Sequence, residues 1–136
     1  MTDLPTLPIV ALYAGLNGLI LLWLAGAVSR VRLRTGIWVG DGGSQELMRA
    51  MRGQLNFAEY VPLCLVLLLL MAALGMPGYL VHLFGLVLTV GRVAHAAHFS
   101  GAYTGLMARQ VGAMLTFGVL LLGSLGLVAH ALTRLN

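Results

Sequence analysis

The chain reads as an all-α integral membrane protein, a bundle of four spanning helices. Three observations predict this. Of its 136 residues, 60% are hydrophobic and only 9% charged, against about 25% charged in an average soluble domain. Four apolar runs each approach the roughly 20 residues that a hydrocarbon core about 30 Å thick requires of a helix. The charged residues sit beside those runs and form no mixed polar surface. The same balance excludes a disordered chain, and the length leaves room for one domain over residues 1–136.

The first run covers residues 7–28, with Asn17 as its main polar interruption. Ala25-Gly26-Ala27 mimics a signal-peptide cleavage site. Asp3 in place of a leading positive charge, and an apolar run longer than the 7–15 residues usual for a leader, predict an uncleaved helix instead. Residues 29–54 read as a polar, arginine-rich connection with a Gly40-Asp41-Gly42-Gly43 turn. That turn lacks the Gly-Lys-Ser/Thr ending of a phosphate loop. The second run begins near Phe57 and stops at Met76-Pro77-Gly78; the third covers residues 79–97 and the fourth residues 110–133. So short a connection between the second and third makes them antiparallel neighbours. Ala11 with Gly15, Ala14 with Gly18, and Gly118 with Leu122 and Gly126 repeat at four-residue intervals, the spacing at which small residues let helices approach. Trp23 and Trp38 suit interfacial anchoring. Cys64 stands alone inside an apolar run, so no disulfide framework exists.

The net charge is +4, and every basic residue is an arginine. Placed beside apolar runs, these arginines do not form the basic stripe of a nucleic-acid binder, and no nucleic-acid partner is expected. They suit a membrane interface or an anionic ligand, because a planar guanidinium grips a carboxylate at two points. Arg30, Arg32, Arg34, Arg49 and Arg52 lie in or beside the first connection, Arg92 and Arg109 flank the third, and the Met76-Pro77-Gly78 turn has none. The excess of positive charge in cytoplasmic loops then predicts both charged connections in the cytoplasm and both termini outside it. The short termini point to a bacterial inner membrane.

The most informative segment runs from Arg49 to Pro62. Arg49, Arg52, Asn56 and Glu59 are spaced by three, four and three residues, which places them on one helix face. The stripe descends into the apolar layer and ends on a carboxylate, which is costly there without a partner. Arg52 is two turns, about 10 Å, away, so Glu59 is expected to meet Arg92 or a donor from another helix. The stripe reads either as an ion-paired lock between helices or as a pocket for a charged solute. A second cluster, Arg92, His95 and His98, closes the third helix. The His95/His98 spacing suits a metal, but only Glu59 and Cys64 could complete such a site, and no metal is expected. One of these histidines should bond a ligand or backbone group, the other face the interface.

These residues resemble the MAPEG superfamily, the membrane-associated proteins of eicosanoid and glutathione metabolism. Three segments carry the resemblance: Val31-Arg32-Leu33-Arg34; Arg52-x-Gln54-x-Asn56-x-x-Glu59-Tyr60-x-Pro62, similar to leukotriene C4 synthase; and Gly91-Arg92-Val93-Ala94-His95, similar to microsomal prostaglandin E synthase, followed by Arg109. The resemblance implies a homotrimer of four-helix protomers with glutathione held between neighbouring subunits near the cytoplasmic face. It implies glutathione contacts at Arg32, Arg52, Gln54, Asn56, Glu59, Tyr60, Arg92 and His95, and a catalytic Arg109 facing the thiol. Tyrosines common after the third-helix histidine are replaced by His98 and Phe99, with Tyr103 beyond.

The chemistry agrees. Glutathione carries two carboxylates, an ammonium and a thiol; arginines suit the first, Glu59 the second, and Asn56 the backbone-like amides. A free thiol with a pKa of about 8.5 is only a few per cent ionised at neutral pH. A guanidinium near the sulfur raises that fraction, and a shift of two units corresponds to about 2.7 kcal/mol. The expected function is a glutathione transferase or peroxidase, conjugating glutathione to lipophilic electrophiles or reducing lipid hydroperoxides, with membrane lipid and a hydrophobic electrophile as its other partners. The alternative is a non-catalytic membrane protein of the same fold that binds lipid or a partner. A small proton-coupled transporter fits less well, since such proteins carry their carboxylate in the first helix, where the bilayer portion here has none.

Overall fold

The computed structural model describes residues 6–135. Asp3, invoked above against a leader peptide, lies outside the described residues. Four helices account for nearly all of them: α1 (Leu7–Thr35), α2 (Gln45–Ala73), α3 (Gly78–Phe99) and α4 (Leu106–Leu135). Each is long and apolar enough to cross a membrane.

The first two helices run further than their apolar stretches. α1 continues seven residues past Val28 and α2 begins at Gln45, so the broad polar connection expected at residues 29–54 shrinks to 36–44. Arginine and glutamine favour helix nearly as well as leucine, and a helix leaving the bilayer needs only caps to persist. α1 stops at Gly36, whose left-handed φ of 70° lets its N–H bond the Arg32 carbonyl. α2 opens on Ser44, whose hydroxyl accepts from the Leu47 N–H at 3.2 Å. Arg34 and Glu46 then pair across the connection. At 29 residues each, both helices are about 43 Å long, enough to lift this connection beyond a 30 Å core.

The helices alternate in direction. α2 and α3 form the centre and α1 and α4 flank them without touching each other. The α1–α2 and α3–α4 connections therefore share one end with Arg30, Arg32, Arg34, Arg49, Arg52, Arg92 and Arg109, while Arg134 lies at the other. Toward that far end, Cys64, Leu68, Val81 and Leu88 pack with no accessible surface. A second cluster around Leu24, Phe57, Val61 and Phe99 lies nearer the arginine end, and Val28, Val31, Leu47 and Ala50 join α1 to α2 beyond it.

The glycines that set helix approach are not those at four-residue spacing. A Cβ on Gly15, Gly18, Gly118 or Gly126 would meet nothing within 4 Å. On Gly53 it would strike Phe99, on Gly85 Tyr13, and on Gly112 the Gly91 carbonyl and the His95 backbone. Spacing puts small residues on one face but does not say whether that face is inward. Here the repeated ones open outward, and the contacts fall on isolated glycines.

Polar groups also bridge α1 and α3 in the apolar layer. Asn17 donates to Thr89 Oγ1 and to the Tyr13 carbonyl, both at 2.9 Å, and the Tyr13 hydroxyl lies 3.1 Å from His82 Nδ1. Buried polar groups of this kind need partners where no water reaches.

Candidate functional site

Near the arginine end, α2, α3 and α4 enclose a half-open cavity of about 660 Å³, lined by Arg52, Leu55, Asn56, Glu59, His95, Phe99, Arg109, Ala113 and Phe117. The α2 residues lie one turn apart on one face, as the spacing predicts. On α4, Arg109, Ala113 and Phe117 do the same. Arg109 places its guanidinium carbon 5.7 Å from the Phe99 ring centre, a distance at which a cation and an aromatic face attract. Five of the nine expected residues, Arg52, Asn56, Glu59, His95 and Arg109, therefore share one hollow.

A second groove of about 520 Å³ lies on the other side of α2, where it meets α1. Its walls include Arg32, Asp41, Met51, Arg52 and Gln54. Arg32 and Gln54 are therefore separated from the main cavity within one chain, and Arg52 and Leu55 border both hollows. Arg32 is also committed locally: it donates to the Ile37 carbonyl at 2.9 Å and the Gly40 carbonyl at 3.1 Å, holding the α1–α2 connection over the groove.

Three expectations change. Glu59 does not meet Arg92. It is exposed on the open edge of the cavity, and the ion pair among the described residues is Arg34 with Glu46. Arg92 is not a lining residue; it is 1% exposed and sits behind the wall. Its fork donates to Asn56 Oδ1 at 3.0 Å, His95 Nδ1 at 3.1 Å and Thr116 Oγ1 at 3.4 Å, with its guanidinium carbon 5.4 Å from the Phe57 ring centre. Asn56 has taken the acceptor role expected of Glu59, because its side chain turns inward from α2 while Glu59 lies on the outer edge. Arg49 leaves the stripe: its guanidinium reaches the α3–α4 connection beside Gly101. Tyr60 stands beside the cavity, packed edge-on against Phe117 at 5.3 Å.

His95 and His98 are both buried, and the backbone bond expected of one of them is made by His98. His98 Nδ1 lies 3.2 Å from the Gly105 carbonyl, fastening the α3–α4 connection. Among the described residues no three metal-ligating side chains gather.

Sequence reasoning missed Thr116 and Phe117, and named Phe99 only as the residue in a tyrosine's place. Thr116 accepts a hydrogen bond from Arg92 while its own hydroxyl donates to the Gly112 carbonyl at 2.9 Å. The available signal was periodicity, since Arg109, Ala113, Thr116 and Phe117 fall on one face of α4. Phe99 occupies a wall position without a hydroxyl, and Tyr103 is exposed in the connection beyond. The balance of the wall is cationic: Arg52 and Arg109 line it, Arg92 backs it, and Glu59 is its one carboxylate.

A family model described as the MAPEG family matches residues 10–129. The Inner membrane protein YecN of Escherichia coli strain K12 is 41% identical over 85 residues, which cover 62% of this chain and 65% of that protein. The protein of the same name from Escherichia coli O6:H1 gives the same figures. The match thus spans slightly under two thirds of the length of these relatives.

Proposed function

This chain belongs to the MAPEG family, and from that premise we propose that it is a glutathione transferase of the bacterial inner membrane, acting on lipophilic electrophiles or lipid hydroperoxides. The observation that carries the reading is the cavity in which Arg52 and Arg109 flank Asn56, His95 and Glu59. Two guanidiniums answer two carboxylates, one carboxylate answers one ammonium, and the remaining donors suit peptide carbonyls. The inner-membrane placement draws on the name of the relatives and on four helices long enough to span. Arginines gathered at one end support a site facing the cytoplasm.

A single chain offers two half-sites. The cavity with Arg109 opens to one side of α2 and the groove with Arg32 and Gln54 to the other. At membrane depth an open charged cavity is costly unless protein covers it. A ring of copies, in which the groove of one faces the cavity of the next, covers both, and a homotrimer is the proposed assembly.

Arg109 is assigned the thiolate. Its positive charge favours the ionised sulfur, which attacks an electrophilic carbon; a C–S bond forms and the displaced electron pair leaves with the departing group or takes a proton. For a hydroperoxide, two glutathiones give one disulfide, an alcohol and water. The test is calorimetric titration of detergent-purified protein with glutathione, alongside thiolate absorbance and conjugation of a lipophilic electrophile. Binding with turnover is expected, and Arg109→Ala should lower thiolate signal and conjugation together by about twentyfold at neutral pH, as a sulfur mostly ionised returns to the few per cent of a free thiol when its pKa rises by about two units. An unchanged Arg109→Ala enzyme would refute the assignment. Binding without turnover across a broad electrophile panel would favour the non-catalytic alternative, to which the hydroxyl-free Phe99 wall is better suited.

A further inference from the structure

Arg92 is the largest fully buried side chain among the described residues, and its hydrogen-bond partners are neutral: an amide oxygen, a hydroxyl and an imidazole nitrogen. Its Nε is buried with no partner. A guanidinium in the apolar layer without a carboxylate is costly as mere packing, and as a lock between helices it lacks the anion that would make it one.

What its geometry does is constrain its neighbours. A guanidinium has only donors. The His95 nitrogen 3.1 Å from it must therefore be an acceptor, so Nδ1 is unprotonated and the ring proton sits on Nε2. The Asn56 atom 3.0 Å away must be the carbonyl oxygen, which leaves the amide N–H groups for other acceptors. Both residues line the cavity. One turn further on α3 the logic reverses: the Gly105 carbonyl can only accept, so His98 carries its proton on Nδ1.

We propose that Arg92 is a positioning residue that orients two cavity-lining side chains, Asn56 and His95, so that each offers a hydrogen-bond donor to an acceptor-rich anionic ligand without Arg92 touching that ligand. With Arg52 and Arg109 the wall becomes a run of donors interrupted only by Glu59. The identity of the ligand as glutathione rests on the function proposed above; the orienting role of Arg92 does not.

The experiment is nitrogen-15 NMR of histidine side chains in detergent-purified, histidine-labelled protein, which contains four histidines, with His95 and His98 assigned through His95→Gln and His98→Gln. The expected spectrum has His95 unprotonated at Nδ1 and protonated at Nε2, and His98 protonated at Nδ1. Arg92→Met should turn His95 into a mixture of tautomers, leave His98 as it was, and weaken glutathione binding about tenfold or more. If Arg92→Met does not fold, Arg92→Gln carries the test, since its shorter amide cannot span Asn56, His95 and Thr116 together. A wild-type His95 protonated at Nδ1, or a His95 spectrum unmoved in whichever variant folds, overturns the proposal. Wild-type protein that shows the expected tautomers and yet fails to bind glutathione overturns the proposed function and leaves the role of Arg92 standing.

Discussion

Single side chains divide here into those that face the cavity and those that hold them. Glu59 is the cavity's one carboxylate and lies on its open edge, where it would meet the ligand's ammonium. Glu59→Gln removes a charge-assisted bond worth about 1.5–3 kcal/mol, so glutathione binding measured by calorimetry should weaken about tenfold or more while thiolate formation on the bound fraction persists. Cys64 offers a contrasting case. It is fully buried between helices, and thiol reagents work on exposed thiolates. A maleimide should leave the folded protein in detergent unlabelled and react once it is denatured. The spacing of Arg52, Asn56 and Glu59 made their shared face legible, because a helix has a fixed period. Which of them would meet Arg92 was not legible, since partner choice depends on how α2 is rotated about its axis relative to α3.

The helices are positioned by a few close approaches. Gly85 admits the Tyr13 ring, and Gly112 lets α4 lie against the backbone of α3 at Gly91 and His95. The second approach brings Thr116 within reach of Arg92. Gly85→Ala would place a methyl in the Tyr13 ring, and overpacking of that kind costs about 1–3 kcal/mol. Its melting temperature in detergent should fall. Gly126→Ala adds a methyl in open space and gains helix propensity, so its melting temperature should hold or rise. The apolar runs announced four helices, but the extension of α1 and α2 into the polar zone depended on caps at Gly36 and Ser44. Those residues were visible in the sequence, though they carry no apolar signal.

The whole molecule displays two incomplete hollows on either side of α2, and its flanking helices α1 and α4 do not meet. The cyclic assembly proposed above, through unlike faces, would close both. Native mass spectrometry of the detergent complex tests the proposed homotrimer and should find three copies. A sharper expectation concerns mixing. Arg32→Ala damages only the groove and Arg109→Ala only the cavity, so each homotrimer should be impaired. When the two are co-expressed in equal amounts, random assortment restores about one interface in four, and conjugation should recover to about a quarter of the wild-type rate. No recovery would mean that the two hollows do not serve one site.

The amino-acid sequence by itself determined that this chain is four apolar helices with its positive charge gathered at one end, because hydropathy and length act locally and need no knowledge of neighbours. It also determined the family and which polar residues stand beside the apolar runs. Only the tertiary structure decided that Arg92 stands behind the wall, that Glu59 is left open, and that Arg32 and Gln54 lie across α2 from Arg109. Those outcomes depend on the rotation and approach of packed helices, set by Gly53, Gly85 and Gly112 against particular partners. Periodicity along one helix carries no information about that angle.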